Sequence, residues 1–65
     1  MGFSESLKNL RKLQNLDQEK LGKILSVSSK TISHWETGYT EPSINQLIML
    51  ADFFDVTIDE LVDRK

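Results

Sequence analysis

Ser29, Lys30, Ser33 and His34, with Thr37 close behind, gather hydrogen-bonding side chains into one short stretch of the chain. Spaced at 100° per residue, as a helix would place them, they share one side, while Ile32 and Trp35 share the other. Base edges are read by such groups: Lys donates to guanine acceptors, Ser and Thr pair with several bases, and a Thr methyl meets the thymine methyl. A merely solvated face would mix Glu with Lys, yet these outward positions hold no carboxylate to repel phosphate. Other chemistries find less support. His34 is the single histidine and there is no cysteine, so a metal site of nitrogen or sulfur ligands cannot be completed. Asp52, Asp55, Asp59, Glu60 and Asp63 lack the alternation and central glycine of a calcium loop. Asp59 and Glu60 fit better as first-turn residues of a helix, where the dipole favours negative charge. No nucleophile and base stand in a usable pattern and no glycine-rich loop could cradle phosphate, so the sequence assigns no catalytic residue and no cofactor.

The elements that must carry the polar face are short helices. Asp17, Ser28, Ser43 and Thr57 are N-cap residues by type and position, and Ser43 with Gln46 and Thr57 with Glu60 have capping-box spacing. Apolar pairs suited to hydrophobic staples flank three of these starts: Leu16 with Leu21, Val27 with Ile32, and Val56 with Leu61. Between the starts the apolar spacing is helical, through Leu7 and Leu10, then Leu21, Ile24 and Leu25, then Ile32 and Trp35, then Leu47, Leu50, Ala51 and Phe54. Asn15 and Gly38 are placed as left-handed stops, and Pro42 forbids helix continuation. The pattern predicts an all-α fold of five helices near 3–14, 17–25, 28–36, 43–54 and 57–63, with no sheet. The phase of Trp35 beside Ile32 assigns its ring to the core rather than to stacking on bases, and Leu13 falls off the buried stripe. Only Ser26-Val27 separate the second and third helices, a spacing that suits a helix-turn-helix over about 17–36, whose second helix enters the major groove.

Size and charge bound the answer further. A chain of 65 residues holds one domain whose apolar residues serve one core, leaving little room for a catalytic pocket. The absence of cysteine gives no support for a secreted, stapled fold and points to a cytoplasmic setting. No apolar run approaches the ~20 residues a membrane helix needs. The net charge of −2 is unusual for a nucleic-acid binder. It is unevenly distributed, however: residues 1–40 carry six basic and four acidic side chains, or +2, and residues 41–65 carry two and six, or −4.

Taken in order, Leu10-Arg11, Leu16 through Gly22, Val27-Ser28 through Ile32, Trp35-Glu36-Thr37-Gly38, Pro42-Ser43, Leu47 through Ala51 and Val56 through Leu61 make nearly the whole chain resemble the phage-repressor and Cro-like helix-turn-helix domains of bacterial and phage transcriptional regulators. The resemblance implies a lambda-repressor-like fold in which Ser29, Lys30, Ser33 and His34 face base edges. It also implies DNA backbone contacts from Gln18, Ser28, Thr37, Tyr39, Thr40 and Ser43, and a buried ion pair between Arg11 and Glu36. For Tyr39 the residues alone leave three roles open: phosphate contact, packing on the domain, or a dimer partner. The chain departs from the family pattern in having Ser26 for the usual turn glycine, Gly22 for alanine, Thr37 for asparagine, and Glu41 where a basic residue is common.

The reading that follows is a sequence-specific regulator, a repressor before an activator, that binds double-stranded DNA as a homodimer on a palindromic operator. Phe53, Ile58 and Val62 are the candidate dimer contacts. A chain ending at Lys65 leaves no room for a ligand-sensing domain, so control is expected from concentration, a protein antirepressor or proteolysis. The alternative is an antitoxin-like or adaptor module that uses the same fold to hold a protein such as a toxin.

Overall fold

The computed structural model describes residues 2–62. Its five helices are α1 (Phe3–Leu13), α2 (Gln18–Leu25), α3 (Ser29–Thr37), α4 (Ile44–Phe54) and α5 (Ile58–Leu61), and the described residues include no strand. All four expected N-caps are formed. Asp17 accepts from the Lys20 amide at 2.7 Å and Ser28 from Thr31 at 3.1 Å. Ser43 and Thr57 complete reciprocal capping boxes with Gln46 and Glu60. These bonds satisfy amides that a helix start leaves without an intrahelical acceptor. The expected boundaries differ by a residue or so: the first helix ends at Leu13 rather than 14, the third reaches Thr37 rather than 36, and the expectation for Asp63 lies outside the described residues.

The first four helices all end the same way. A left-handed residue follows each, Asn15, Ser26, Gly38 and Asp55, at φ of 57°, 61°, 81° and 58°. The next amide then reaches back to a carbonyl five residues earlier: Leu16 to Arg11 at 3.2 Å, Val27 to Gly22 at 2.8 Å, Tyr39 to His34 at 2.9 Å and Val56 to Ala51 at 3.0 Å. This is the Schellman ending, which satisfies terminal carbonyls and turns the chain sharply. Ser26 therefore takes the left-handed backbone that its place in the helix-turn-helix demands, at the steric cost a Cβ brings there. Gly22 makes the turn close enough to fit: a Cβ on it would lie 2.6 Å from the Val27 carbonyl oxygen.

Leu7, Leu21, Leu25, Ile32, Trp35, Leu50, Ala51, Phe54 and Leu61 form the buried core, with Leu10, Leu16, Val27, Leu47 and Val56 packed around it. Trp35 is in the core as its phase requires, with Phe3 edge-on at 6.5 Å between ring centroids. The recognition-helix candidate α3 is wedged between α1 and α2, while α4 packs on α2 and α5, and α5 returns to α1. One apolar assignment changes: Ile24, counted on the inward stripe of the second helix, is exposed, because α3 covers the Leu21 and Leu25 side. Leu13 is exposed, as its phase predicts.

Candidate nucleic-acid interface

Burial of Ile32 and Trp35 fixes the rotation of α3 and hence which side chains it turns outward. Ser29, Lys30 and Thr37 are exposed, and Ser33 and His34 are half-buried along the same side. The only carboxylate on this helix, Glu36, is drawn inward until its side chain is 4% exposed. The outward face thus keeps its hydroxyls, its imidazole and the Lys30 ammonium free of fixed negative charge, which suits it to donors and acceptors on base edges and to phosphate.

Glu36 is held by three donors. Arg11 Nε donates to Oε2 at 2.6 Å and Arg11 Nη2 to Oε1 at 3.1 Å, a bidentate pair; Gln18 Nε2 donates to Oε1 at 3.1 Å. The third Arg11 nitrogen, Nη1, donates to the Leu16 carbonyl at 2.8 Å. One guanidinium therefore ties α1 to the turn before α2 and to the far end of α3. Its hydrogen bonds to Glu36 hold the Arg11 pKa above its ordinary range against the opposing cost of burial, and the charges of Glu36 and Asp17 add to the effect. The expected ion pair is present in this form.

Gln18, placed at the start of α2 for backbone contact, is already engaged: because a carboxylate only accepts, its Nε2 must face Glu36, leaving one N–H and its carbonyl for other partners. Ser28 and Ser43 spend their oxygens as N-caps, with Ser28 Oγ also 3.0 Å from Thr31 Oγ1. Thr37 Oγ1 donates to the His34 carbonyl at 3.2 Å. Thr40 and Ser43 are exposed in the segment after α3. Tyr39 is 76% exposed, and its ring lies 4.7 Å from that of His34. Nothing in the residue types signals this pairing, although the Schellman ending, which brings those two positions together, is signalled by Gly38.

α4 is apolar on most of its sides, with Asn45 and Asp52 as its exposed polar residues. Besides its buried residues it exposes Ile44 (73%), Ile48, Met49 and Phe53, and Ile58 of α5 is exposed nearby. Of the candidate dimer contacts, Phe53 and Ile58 are among these exposed residues, and Val62 is half-buried at the end of α5. Asp52, Asp55, Asp59 and Glu60 are exposed among and beside these residues.

The model of the family described as helix-turn-helix matches residues 7–61. The transcriptional activator BcrR of Enterococcus faecalis is 47% identical over 95% of this chain, which spans 30% of that protein. The transcriptional regulator AnsR of Bacillus subtilis is 39% identical over 94% of the chain and 53% of its own length. The chain thus spans about half or less of these two relatives. Among solved structures, the P22 c2 repressor in complex with a synthetic operator superposes with a TM-score of 0.91 at 31% identity, over 100% of this chain and 98% of that one.

Proposed function

Since the chain belongs to the helix-turn-helix family, we propose that residues 1–65 act as a single DNA-binding domain of a cytoplasmic transcriptional regulator, reading a palindromic operator as a homodimer. The observation that carries this reading is the outward face of α3, where Ser29, Lys30, Ser33 and His34 stand together with no carboxylate while Glu36 is turned inward. These four read base edges in the major groove. Gln18, through its remaining N–H, and Ser28, Thr37, Tyr39, Thr40 and Ser43 flank that helix and meet the DNA backbone, together with main-chain amides. Likeness to the P22 c2 repressor, whose structure holds a synthetic operator, supports DNA as the ligand and repression as the outcome. The reading assigns the domain no catalysis.

Two-fold pairing uses the exposed apolar surface of α4 and α5. A helix that exposes several large apolar residues beyond its buried stripe suits an interface. The described domain measures 29 × 23 × 21 Å, so two copies side by side can present their α3 helices at about the ~34 Å separation of consecutive major grooves. The test is a gel-shift titration against duplexes flanking the protein's own gene. A preferred duplex is expected, and binding no better than to random sequence at low salt overturns the proposal.

A second reading, an antitoxin-like or adaptor module for a protein partner, rests on that same apolar surface with its acidic neighbours. Lys30→Ala with Ser33→Ala separates the two: operator preference is lost under the first, and partner binding survives under the second.

A further inference from the structure

Three of the four Schellman endings put an apolar residue after the left-handed position, Leu16, Val27 and Val56, and each packs against the core. Such a contact between the chain just past a helix and the helix's last full turn is the motif's usual companion. The fourth ending differs. It follows the same backbone path, with the Gly38 amide on the Trp35 carbonyl at 3.4 Å and Tyr39 on His34 at 2.9 Å, but its ring lies outside the core, against the imidazole of His34. The rings are tilted by 56° at 4.7 Å, within the range of favourable aromatic contact. The His34 carbonyl is also fixed, since it accepts from Thr37 Oγ1, from Tyr39 and, at 3.4 Å, from the Thr40 amide. His34 is thereby restrained at its backbone by the turn and at its ring by Tyr39.

Resting on the α3 reading above, we propose that Tyr39 is a positioning residue for His34: its ring, rather than its hydroxyl, selects the imidazole rotamer presented to the base edge. An unrestrained imidazole must give up rotamer freedom on meeting DNA and can turn to suit more than one base. A ring already held in place does neither, so it discriminates better. The role is distinct from a phosphate contact, which would act through the hydroxyl and lend affinity without sequence information.

The experiment compares wild type, Tyr39→Phe, Tyr39→Ala and His34→Ala on a selected operator and on variants with each base pair replaced in turn, alongside the NMR signals of the His34 ring in the free protein. His34→Ala identifies the base pair that His34 reads. Tyr39→Ala is expected to reduce discrimination at that pair by about five-fold or more, within the range one mismatch spans, to leave other pairs unchanged, and to shift the His34 ring signals. Tyr39→Phe retains both the discrimination and the ring shifts. Equal losses of discrimination in Tyr39→Phe and Tyr39→Ala, or a Tyr39→Ala variant that binds every duplex more weakly but keeps its discrimination at the pair His34 reads, overturn the proposal while leaving the DNA-binding reading intact. If His34→Ala alters no base preference, the proposal falls together with the base-reading role of His34. A wild type without any preferred duplex shows instead that the DNA-binding reading has failed.

Discussion

The Glu36 carboxylate gathers donors from two helices onto a third, and its removal should be the most damaging single polar change in the domain. In Glu36→Gln the side chain keeps its shape but loses its charge and one acceptor, and because both carboxylate oxygens accept from Arg11, its new N–H₂ group faces an Arg11 N–H whichever way the amide is turned. Breaking a buried pair in this way costs about 3–5 kcal/mol. Arg11 retains 12% side-chain exposure and can recruit some water, so the lower end, about 3 kcal/mol, is expected. A domain of this size holds about 3–5 kcal/mol in all. The loss should therefore lower the urea midpoint by about 3 M, for an m-value near ~1 kcal/mol/M.

Urea titrations at low temperature, where the singles are still partly folded, measure this. Arg11→Met should cost a similar amount, because it strands the carboxylate. The double variant Arg11→Met, Glu36→Leu should recover most of the loss and stand within about 1 kcal/mol of wild type, since apolar side chains can replace a buried pair at little cost. What it does not recover is the bond from Arg11 to the Leu16 carbonyl and the bond from Gln18 to Glu36. Lys12→Met, an exposed neighbour, is the control and should shift stability by less than ~0.5 kcal/mol. A Glu36→Gln variant within ~0.5 kcal/mol of wild type, or a double variant as unstable as the two single losses combined, would refute the reasoning.

Three other outcomes are expected. Ser26→Gly removes the steric cost of a left-handed Cβ and should raise stability by about 0.5–1 kcal/mol, whereas Gly22→Ala drives a Cβ into the Val27 carbonyl and should lower it by about 1–2 kcal/mol despite better helix propensity, both read as thermal midpoints. Operator affinity should fall only gently with salt, at a slope of about −5 or less in magnitude, and a slope near ~10 would show that phosphate cations dominate after all. Self-association should respond to salt with the opposite sign, because Asp52, Asp55, Asp59 and Glu60 of the two copies meet around the apolar contact: sedimentation should find tighter dimers at about 0.5 M than at about 0.05 M salt, and none for Phe53→Lys with Ile58→Lys. Dimers that weaken with salt, or that survive the lysines, would place the interface elsewhere.

What the sequence disclosed and what it withheld divide by distance along the chain. The caps at Asp17, Ser28, Ser43 and Thr57 are legible because donor and acceptor lie three residues apart, so the residue types alone nearly determine the bond. Helical phase likewise places Trp35 inward and Lys30 outward. Asp55 is harder to foresee as a left-handed ending, because it follows Phe53-Phe54 rather than a glycine, and the Schellman geometry there depends on Val56 finding the core. The exposure of Ile24 is not legible, because a stripe of period 3.6 shows which residues share a face but not how wide a neighbour covers it. The engagement of Gln18 by Glu36 spans 18 positions and the two residues belong to different helices, so only the crossing of α2 and α3 could bring them together.

That crossing also resolves how an acidic chain can face DNA. Arg11 and Glu36 offset each other within the domain and add little to the surface field. Among the described residues, Asp52, Asp55, Asp59 and Glu60 stand on or beside α4 and α5, while Lys8, Lys12, Lys20, Lys23 and Lys30 are exposed on the first three helices, where Glu5, Asp17 and Glu19 are the exposed acidic residues on or beside them. Net charge governs long-range attraction, but at contact distance, with a screening length of ~8 Å, the local face decides. A face with one ammonium, several hydroxyls and an imidazole grips phosphate weakly, so under the DNA-binding reading most of the free energy must come from fitted hydrogen bonds at base edges and from main-chain amides. Binding built that way discriminates strongly between correct and random duplexes, because little of it survives when the bases are wrong. The orientation of each reading side chain then matters more than in a basic domain, and the restraint of His34 is where that dependence should be largest.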